Sequence, residues 1–199
     1  MNFFFGDFMK VIAINGSARK NGNTAQLINM VFSKLKEVGI TCEMIQLSNQ
    51  KISGCKACDQ CYKKKNKKCV IQDDIVNDII EKMIEADGII FASPTYFANI
   101  SSELKALIDR TGRVGRANNY LFKHKVGIAI TAVRRAGSIE AFNAINNFFL
   151  IEQMVVPGSI YWNLGIGKDI GDVNEDVEGQ KTMEILAENM IWLLEKISS

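Results

Sequence analysis

Several features are scarce or absent in this sequence, and each absence excludes a class of protein. Only two prolines occur in 199 residues, and no low-complexity stretch, repeat or linker divides the chain. No apolar run approaches the roughly 20 residues that a membrane-spanning helix needs. The net charge of +2 is too small for a nucleic-acid-binding surface. We therefore expect a single domain covering residues 1–199, with neither nucleic acid nor membrane as a partner.

The first ten residues, MNFFFGDFMK, are apolar but carry neither a basic leader nor a small-residue cleavage site. We interpret them as a cap on the fold, with either Met1 or Met9 as the native start. Without a targeting signal, the expected location is the cytoplasm. That reduced compartment argues against interpreting the cysteines as disulfides.

Short apolar runs alternate with amphipathic stretches, which predicts a doubly wound α/β sheet of five parallel strands. The predicted strands are residues 11–15, 41–47, 88–93, 126–131 and 154–161. The predicted helices are residues 24–38, 73–86, 101–111, 139–150 and 177–197. Ligands of such sheets bind beyond the carboxyl ends of the strands, so the loops after strands one, three and four are candidate binding loops.

The loop after strand one, residues 16–24, combines glycine with hydroxyl and amide side chains and opens directly into a helix. Such a helix N-terminus favours phosphate. The loop lacks both the lysine of an NTP-binding loop and the three-glycine dinucleotide fingerprint. It therefore favours a monophosphate held largely by neutral donors, with a plain turn and helix cap as the alternative. The candidate ligands are Ser17, Arg19, Asn21, Asn23 and Thr24.

The other two loops can surround a flat ring. Residues 93–99 place two adjacent aromatics beside a proline, although aromatics after a buried strand are more often core. Residues 132–138 supply a flexible glycine and two arginines that can approach a reduced ring, with solvated surface charges as the alternative. The candidate residues are Pro94, Thr95, Tyr96, Phe97, Asn99, Ala132, Arg134, Arg135 and Gly137.

Four of the five cysteines lie in the run GCKACDQCYKKKNKKC, with the spacing C-x2-C-x2-C-x7-C. Four thiolates in one loop suit a four-iron–four-sulfur cluster. Zinc fits less well because zinc ribbons usually have two separated C-x-x-C pairs, and free thiols are the third alternative. We interpret residues 53–70 as a metal-binding loop inserted after strand two. The candidate ligands are Cys55, Cys58, Cys61 and Cys69.

Four further features of the sequence receive an interpretation. Between Cys55 and Cys69, six lysines accompany one acid, Asp59. This excess of positive charge is either a docking patch for an acidic redox partner or a solvated loop. The fifth cysteine, Cys42, is expected to be a small buried hydrophobe in strand two. His124 receives no catalytic role, and the glycine-rich residues 165–171 are interpreted as a loop.

The segments GSARKNGNT, SPTYFANIS and ELKALIDR together resemble the NADPH-dependent FMN reductase and flavodoxin-like superfamily. With the cysteine motif after strand two, residues 10–150 resemble the iron–sulfur flavoproteins of anaerobes. The resemblance implies a flavodoxin-like sheet of order 2-1-3-4-5, with FMN phosphate at residues 17–24 and its ring near residues 94–99. It also implies a 4Fe-4S cluster on the four cysteines, close to the flavin of a neighbouring subunit in a homodimer or homotetramer.

This resemblance predicts an FMN-dependent oxidoreductase that transfers electrons between a one-electron donor such as ferredoxin and an acceptor. The first alternative is an NAD(P)H-dependent FMN, quinone or nitro-compound reductase without a functional cluster. The second is a zinc-stabilised binding module on a flavodoxin-like scaffold.

Overall fold

The structure of the protein, a computed structural model, describes residues 9–197, so the first eight of the ten residues interpreted above as a cap lie outside the described part. Five parallel strands form one sheet in the order β2-β1-β3-β4-β5, which confirms the predicted flavodoxin-like topology. The strands are β1 (Lys10–Asn15), β2 (Thr41–Gln46), β3 (Gly88–Pro94), β4 (Val126–Val133) and β5 (Leu164–Ile166).

Helices cover both faces of this sheet. They are α1 (Asn23–Glu37), α2 (Gln60–Lys64), α3 (Val76–Glu85), α4 (Ser102–Ala117), α5 (Ser138–Ile151) and α6 (Val177–Ile197), with a short 3-10 helix at Asp172–Asn174. Because side chains alternate across a strand, β1 sends Val11 and Ala13 to the face covered by α1 and α6. It sends Ile12 and Ile14 to the face covered by α3, α4 and α5. No helix in the described part is long and apolar enough to cross a membrane.

The predicted fifth strand at residues 154–161 is wrong. Val155 makes only an isolated bridge to Val126 at the amino end of β4. Pro157 follows, and because proline has no backbone N–H the chain cannot continue the ladder there. The chain returns to the sheet at β5, which pairs with Thr131, Ala132 and Val133 at the carboxyl end of β4.

The position of β5 also corrects the interpretation of residues 165–171 as a loop. The first two residues of that stretch belong to β5. The next residues, Gly167 and Lys168, therefore lie beyond the carboxyl end of a strand, at the edge where ligands of such sheets bind.

The helix boundaries differ from the predicted ones in three places. The segment 53–70 contains the short helix α2, where only a loop was predicted. Helix α3 begins at Val76 rather than at residue 73, and α4 continues to Ala117 rather than ending at residue 111. Ser101 caps α4, since its side chain accepts the N–H of Leu104 at 3.4 Å. A single domain over residues 1–199 stays a prediction.

Candidate functional site

The loops that follow β1, β3, β4 and β5 meet in one cleft of about 210 Å³ at the carboxyl edge of the sheet. The structure therefore brings together most of the residues that the sequence analysis singled out. The cleft is lined by Ser17, Arg19, Asn23, Thr24, Pro94, Thr95, Tyr96, Ala132, Arg134, Gly167 and Lys168.

Two strand side chains fix the start of the first loop. The carboxamide oxygen of Asn15 accepts the N–H of Ser17 at 3.0 Å, and the amide of Gln46 donates to the carbonyl of Ser17 at 2.5 Å. Asn15 also donates to Gln46 at 2.8 Å, so the two side chains act as one brace. The Ser17 hydroxyl accepts the N–H of Arg19 at 3.1 Å, which closes the turn. Sequence reasoning missed this brace.

The N-terminus of α1 opens into the cleft. Its N-cap residue, Gly22, provides no side-chain capping hydrogen bond, and the first N–H groups of any helix lack intrahelical partners. Thr24, in the first turn, is 1% exposed and lines the cleft. Unpaired N–H groups at a helix N-terminus suit a phosphate. Asn21 lies outside the cleft lining, and its carbonyl accepts from Gln26 at 3.3 Å.

Asn23 lines the cleft, but its amide is engaged with the loop after β5. Its Nδ2 donates to the carbonyl of Asp169, and its Oδ1 accepts the N–H of Gly171, each at 2.9 Å. A Cβ at Gly167 would lie 2.6 Å from the Asn23 Nδ2, so only glycine fits that approach. Asn23 therefore positions the loop after β5 against the loop after β1.

Three basic side chains line the cleft. The cleft is therefore more positively charged than expected from the sequence, which favoured a phosphate held largely by neutral donors. They are Arg19, Arg134 and Lys168. The Arg19 guanidinium donates to the carbonyl of Lys168 at 3.2 Å, which links the first loop to the loop after β5. Sequence reasoning missed Lys168 because its place depends on β5.

Thr95 carries an unpaired polar atom in the second loop. Its N–H donates to the carbonyl of Ala132 at 2.8 Å, which ties the second loop to the third. Its hydroxyl is buried and has no hydrogen-bond partner within the described residues, although Thr95 lines the cleft. A buried hydroxyl without a partner is costly unless a ligand satisfies it. The flanking Pro94 and Tyr96 supply apolar surface beside it.

A tight turn holds the second aromatic residue of this loop away from the core. The backbones of Tyr96 and Asn99 exchange two hydrogen bonds at 2.9 Å. The central residues, Phe97 and Ala98, have φ values of 48° and 56°, which is uncommon for residues other than glycine. Phe97 is fully exposed and Tyr96 is also exposed, so the alternative that these aromatics are core is wrong. Phe97 and Asn99 lie outside the cleft lining.

The third loop packs on the second. Gly137 has a φ of 87°, and a Cβ there would lie 3.3 Å from the Cα of Ala98. Glycine therefore lets the two loops approach. Arg134 reaches the cleft, whereas Arg135 is exposed and, like Gly137, lies outside the lining.

The cysteine segment, residues 53–70, leaves β2 and packs along α4. All five cysteines of the chain have free thiols. Cys55 and Cys58 are exposed, and the Cys55 sulfur accepts the N–H of Ala57 at 3.4 Å. Cys61, on α2, is buried, and its thiol donates to the carbonyl of Arg113 at 3.7 Å. Burial raises the pKa of the Cys61 thiol.

The fourth cysteine of the segment, Cys69, is the one most firmly held. Its N–H donates to the Asn77 side chain at 2.8 Å, and its carbonyl accepts from the same amide at 3.1 Å. Its sulfur accepts a hydrogen bond from Arg110 at 3.4 Å. Over residues 9–197, no group of three or more His, Cys, Asp or Glu side chains is arranged to hold a metal ion. The four thiols fit iron by their chemistry, and their ligand role stays a prediction.

Cys42 and His124 lie away from the cleft lining and the cysteine segment. Cys42 is half-buried rather than fully buried as predicted, and burial raises the pKa of its thiol to about 11. His124 is exposed at the amino end of β4, where its N–H donates to the carbonyl of Gln153 at 3.0 Å.

The sheet order and the cleft at its carboxyl edge define a flavodoxin-like α/β protein. A solved flavodoxin, WrbA-like protein from Agrobacterium tumefaciens has a TM-score of 0.66 at 12% identity, covering 96% of this chain and 99% of that one. A solved flavodoxin from the domain Archaea has a TM-score of 0.59 at 17% identity, covering 96% of this chain and 100% of that one. These likenesses concern the fold alone.

The sequence comparisons identify the family. The model of the NADPH-dependent FMN reductase family matches residues 9–169. An iron–sulfur flavoprotein of Methanocaldococcus jannaschii is 38% identical over 198 residues, covering 95% of this chain and 99% of the relative. An iron–sulfur flavoprotein of Methanosarcina thermophila is 34% identical over 197 residues, covering 95% and 97%. The chain belongs to the NADPH-dependent FMN reductase family and groups there with the iron–sulfur flavoproteins. It is an FMN-dependent oxidoreductase.

Proposed function

We propose that this protein transfers electrons between a one-electron donor such as ferredoxin and a further acceptor, through FMN and a 4Fe-4S cluster. The observation that carries the proposal is the cysteine segment, which places four free thiols in one stretch of a chain with the FMN reductase fold. Four thiolates are the ligand set of such a cluster. The names of the relatives agree with this proposal.

In this proposal the cleft binds FMN. The N-terminus of α1 and the braced Ser17 would hold the phosphate, with Arg19 and Lys168 supplying positive charge. The unpaired hydroxyl of Thr95 would bond to the ring edge, and Tyr96 would cover one ring face and exclude water. The remaining predicted residues, Asn21, Phe97, Asn99, Arg135 and Gly137, would shape the loops around this site.

The cysteine segment would hold the cluster through Cys55, Cys58, Cys61 and Cys69. Cys61 and Cys69 are held against α4 and α3, and the exposed Cys55 and Cys58 would supply the other two ligands. When bound, such a cluster passes single electrons, and FMN exchanges one or two. No side chain is needed as an acid or base, so the chain's task is to hold both groups and exclude water. We also propose a cytoplasmic homodimer or homotetramer.

The proposal is tested by measuring iron, acid-labile sulfide, zinc and FMN per chain on protein purified without oxygen. We expect about four iron, four sulfide and one FMN, as one cluster and one flavin require. FMN without iron, persisting after anaerobic reconstitution, would refute the cluster. Zinc in place of iron would favour the zinc-stabilised module instead.

The family match favours a second candidate function, an NAD(P)H-dependent reductase of FMN, quinones or nitro compounds without a functional cluster. Stopped-flow mixing with NADPH distinguishes the two functions. Rapid bleaching of the flavin by NADPH without ferredoxin supports the second candidate. Slow bleaching by NADPH with rapid bleaching by reduced ferredoxin supports the first.

The lysines of the cysteine segment provide a prediction about the donor. Lys63, Lys64 and Lys65 are exposed, and no lysine of this segment forms an ion pair in the part of the chain that the structure describes. The one acid among them, Asp59, pairs with Arg113 instead. Replacing the three lysines by glutamine is expected to slow reduction by ferredoxin about tenfold at low salt, because electrostatic steering is lost.

The salt dependence and a control variant complete this test. The difference from wild type is expected to fade above about 0.15 M salt, where screening is strong. Lys36→Gln removes an exposed charge on α1, on the other face of the sheet from the cysteine segment, and is expected to leave the rate unchanged. Equal rates for the triple variant and wild type at low salt would show that the lysines are only solvated.

A further inference from the structure

One arginine of α4 joins both ends of the cysteine segment. Arg110 is only 1% exposed, and it forms an ion pair with the buried carboxylate of Asp74. Its guanidinium also donates to the carbonyl of Ser53 at 3.4 Å and to that of Ile71 at 3.0 Å. Ser53 begins the segment and Ile71 directly follows it, so a single buried side chain closes the segment into a loop.

The same side chain contacts a thiol. The Nε–H of Arg110 donates to the sulfur of Cys69 at 3.4 Å, while Asn77 holds the backbone of that cysteine. Burying a guanidinium is costly unless every part of it is paired. Here the guanidinium is paired with one carboxylate, the carbonyls of Ser53 and Ile71, and one sulfur.

We propose that Arg110 is the positioning residue for the Cys69 thiolate and that its N–H···S hydrogen bond sets the reduction potential of the cluster. This inference rests on the proposed function, because it requires the cluster. Reduction adds one electron from the donor, and the added negative charge spreads onto the ligand sulfurs. A charged N–H donor stabilises that charge, so Arg110 raises the potential.

A second arginine on the same helix is a matched control. Arg113 lies three residues further along α4, and its guanidinium pairs with Asp59 and lies 5.0 Å from the ring centre of Tyr62. It therefore contacts the same segment and carries the same charge, but it donates to a carboxylate rather than to a sulfur. An effect that comes merely from replacing an arginine beside the segment by lysine would appear at both positions.

The experiment compares Arg110→Lys and Arg113→Lys with wild type, each loaded with its cluster and titrated with dithionite under EPR detection. Lysine keeps the positive charge near Asp74. It lacks the planar guanidinium group, whose several N–H donors reach the sulfur and the two carbonyls at the same time. We expect Arg110→Lys to shift the midpoint potential to a more negative value and to alter the EPR signal of the reduced cluster. Arg113→Lys is expected to keep both at wild-type values.

A second measurement uses the full chain without its cluster. Trypsin cleavage at the lysines of the segment is expected to be about tenfold faster in Arg110→Lys than in wild type, as loss of hydrogen bonds to a charged group implies. If Arg110→Lys does not fold, Arg110→Met with Asp74→Leu replaces the buried pair by apolar side chains and serves in its place.

The outcomes separate the inference from the proposed function. A wild-type potential in Arg110→Lys, or an equal shift in Arg113→Lys, overturns the effect on potential while leaving the cluster established. A wild-type rate of trypsin cleavage overturns the positioning role. If wild type takes up no iron after anaerobic reconstitution, both the proposed function and the inference fail.

Discussion

Replacing Asp74 by alanine is expected to lower the free energy of unfolding by about 3–5 kcal/mol, as is typical when one partner of a buried ion pair is removed. The Asp74 side chain is 3% exposed, and the side chain of its partner, Arg110, is fully buried. Burial disfavours a charged guanidinium, but the hydrogen bonds that Arg110 donates to Asp74 and Cys69 outweigh this and raise the pKa of Arg110. Without Asp74, a permanent charge stays buried without a counter-charge. Urea unfolding of the cluster-free chain measures the loss.

An exposed ion pair on the same helix is the control for this prediction. Lys105 and Asp109 pair at 2.5 Å on α4, with both side chains about half exposed. Asp109→Ala is expected to cost less than about 1 kcal/mol, because solvent screens such a pair. A cost of Asp74→Ala no larger than that of Asp109→Ala would show that the buried pair does not stabilise the fold.

A double replacement tests whether the unpaired charge of Arg110 causes the loss of stability in Asp74→Ala. Asp74→Leu with Arg110→Met removes both charges and fills the space with apolar atoms, so it is expected to recover most of the stability that Asp74→Ala loses. If the double variant is as unstable as the single one, the loss comes from the missing contacts with Ser53 and Ile71 rather than from the unpaired charge.

The central strands and the three candidate loops followed from the sequence because they depend on local pattern. Strands β1, β3 and β4 are buried on both faces, so they appear as continuous apolar runs. Once those runs are placed, the general rule for parallel sheets locates the binding edge at their carboxyl ends. The sequence therefore predicted that Ser17, Thr24, Thr95 and Arg134 lie at the same edge of the sheet.

Strand β5 did not follow from the sequence because it has no pattern of its own. Its three residues, LGI, are too short a run to stand out from the sequence, whereas residues 154–161 are richer in strand-forming side chains. The pairing with β4 decides between them, and this pairing is a tertiary contact. Lys168 was missed for the same reason, since its place in the cleft depends on where β5 ends.

Arg110 was missed for a different physical reason. Within α4 it is one of several charged residues, and nothing local marks it as buried. Its partners lie 36 to 57 residues upstream, so only the folded chain brings them to it. Asp74 lies just before α3, and its Oδ1 accepts the N–H of Val76 at 3.1 Å. Its other oxygen pairs with Arg110, which no sequence pattern indicated.

Glu152 is expected to make the stability of this protein depend on pH in an unusual direction. It follows α5, is fully buried, and neither carboxylate oxygen has a hydrogen-bond partner within the described residues. It lies against α4, where a Cβ at Gly115 would come within 2.6 Å of its Oε2. Burial raises the pKa of Glu152 to about 7, although the positive charge of Arg116 acts in the opposite direction.

The sign of this effect follows from proton binding. In the unfolded chain the Glu152 carboxyl ionises near its ordinary value of 4.5, whereas in the folded chain it keeps its proton up to a pKa of about 7. Between these values the folded state binds more protons, so stability is highest at the acidic end and falls as pH rises. The total loss is up to about 3 kcal/mol, since one pKa unit corresponds to about 1.4 kcal/mol.

Glu152→Gln removes this titration and keeps the shape of the protonated side chain. At about pH 4, below the unfolded pKa, the variant is expected to match wild type, and at about pH 8 to exceed its free energy of unfolding by up to about 3 kcal/mol. Urea unfolding of cluster-free protein at several pH values measures the difference, and Glu188→Gln, an exposed position on α6, is the control expected to follow wild type. Parallel pH profiles for Glu152→Gln and wild type would mean that Glu152 ionises normally, which requires solvent or a cation to reach its carboxylate in the folded protein.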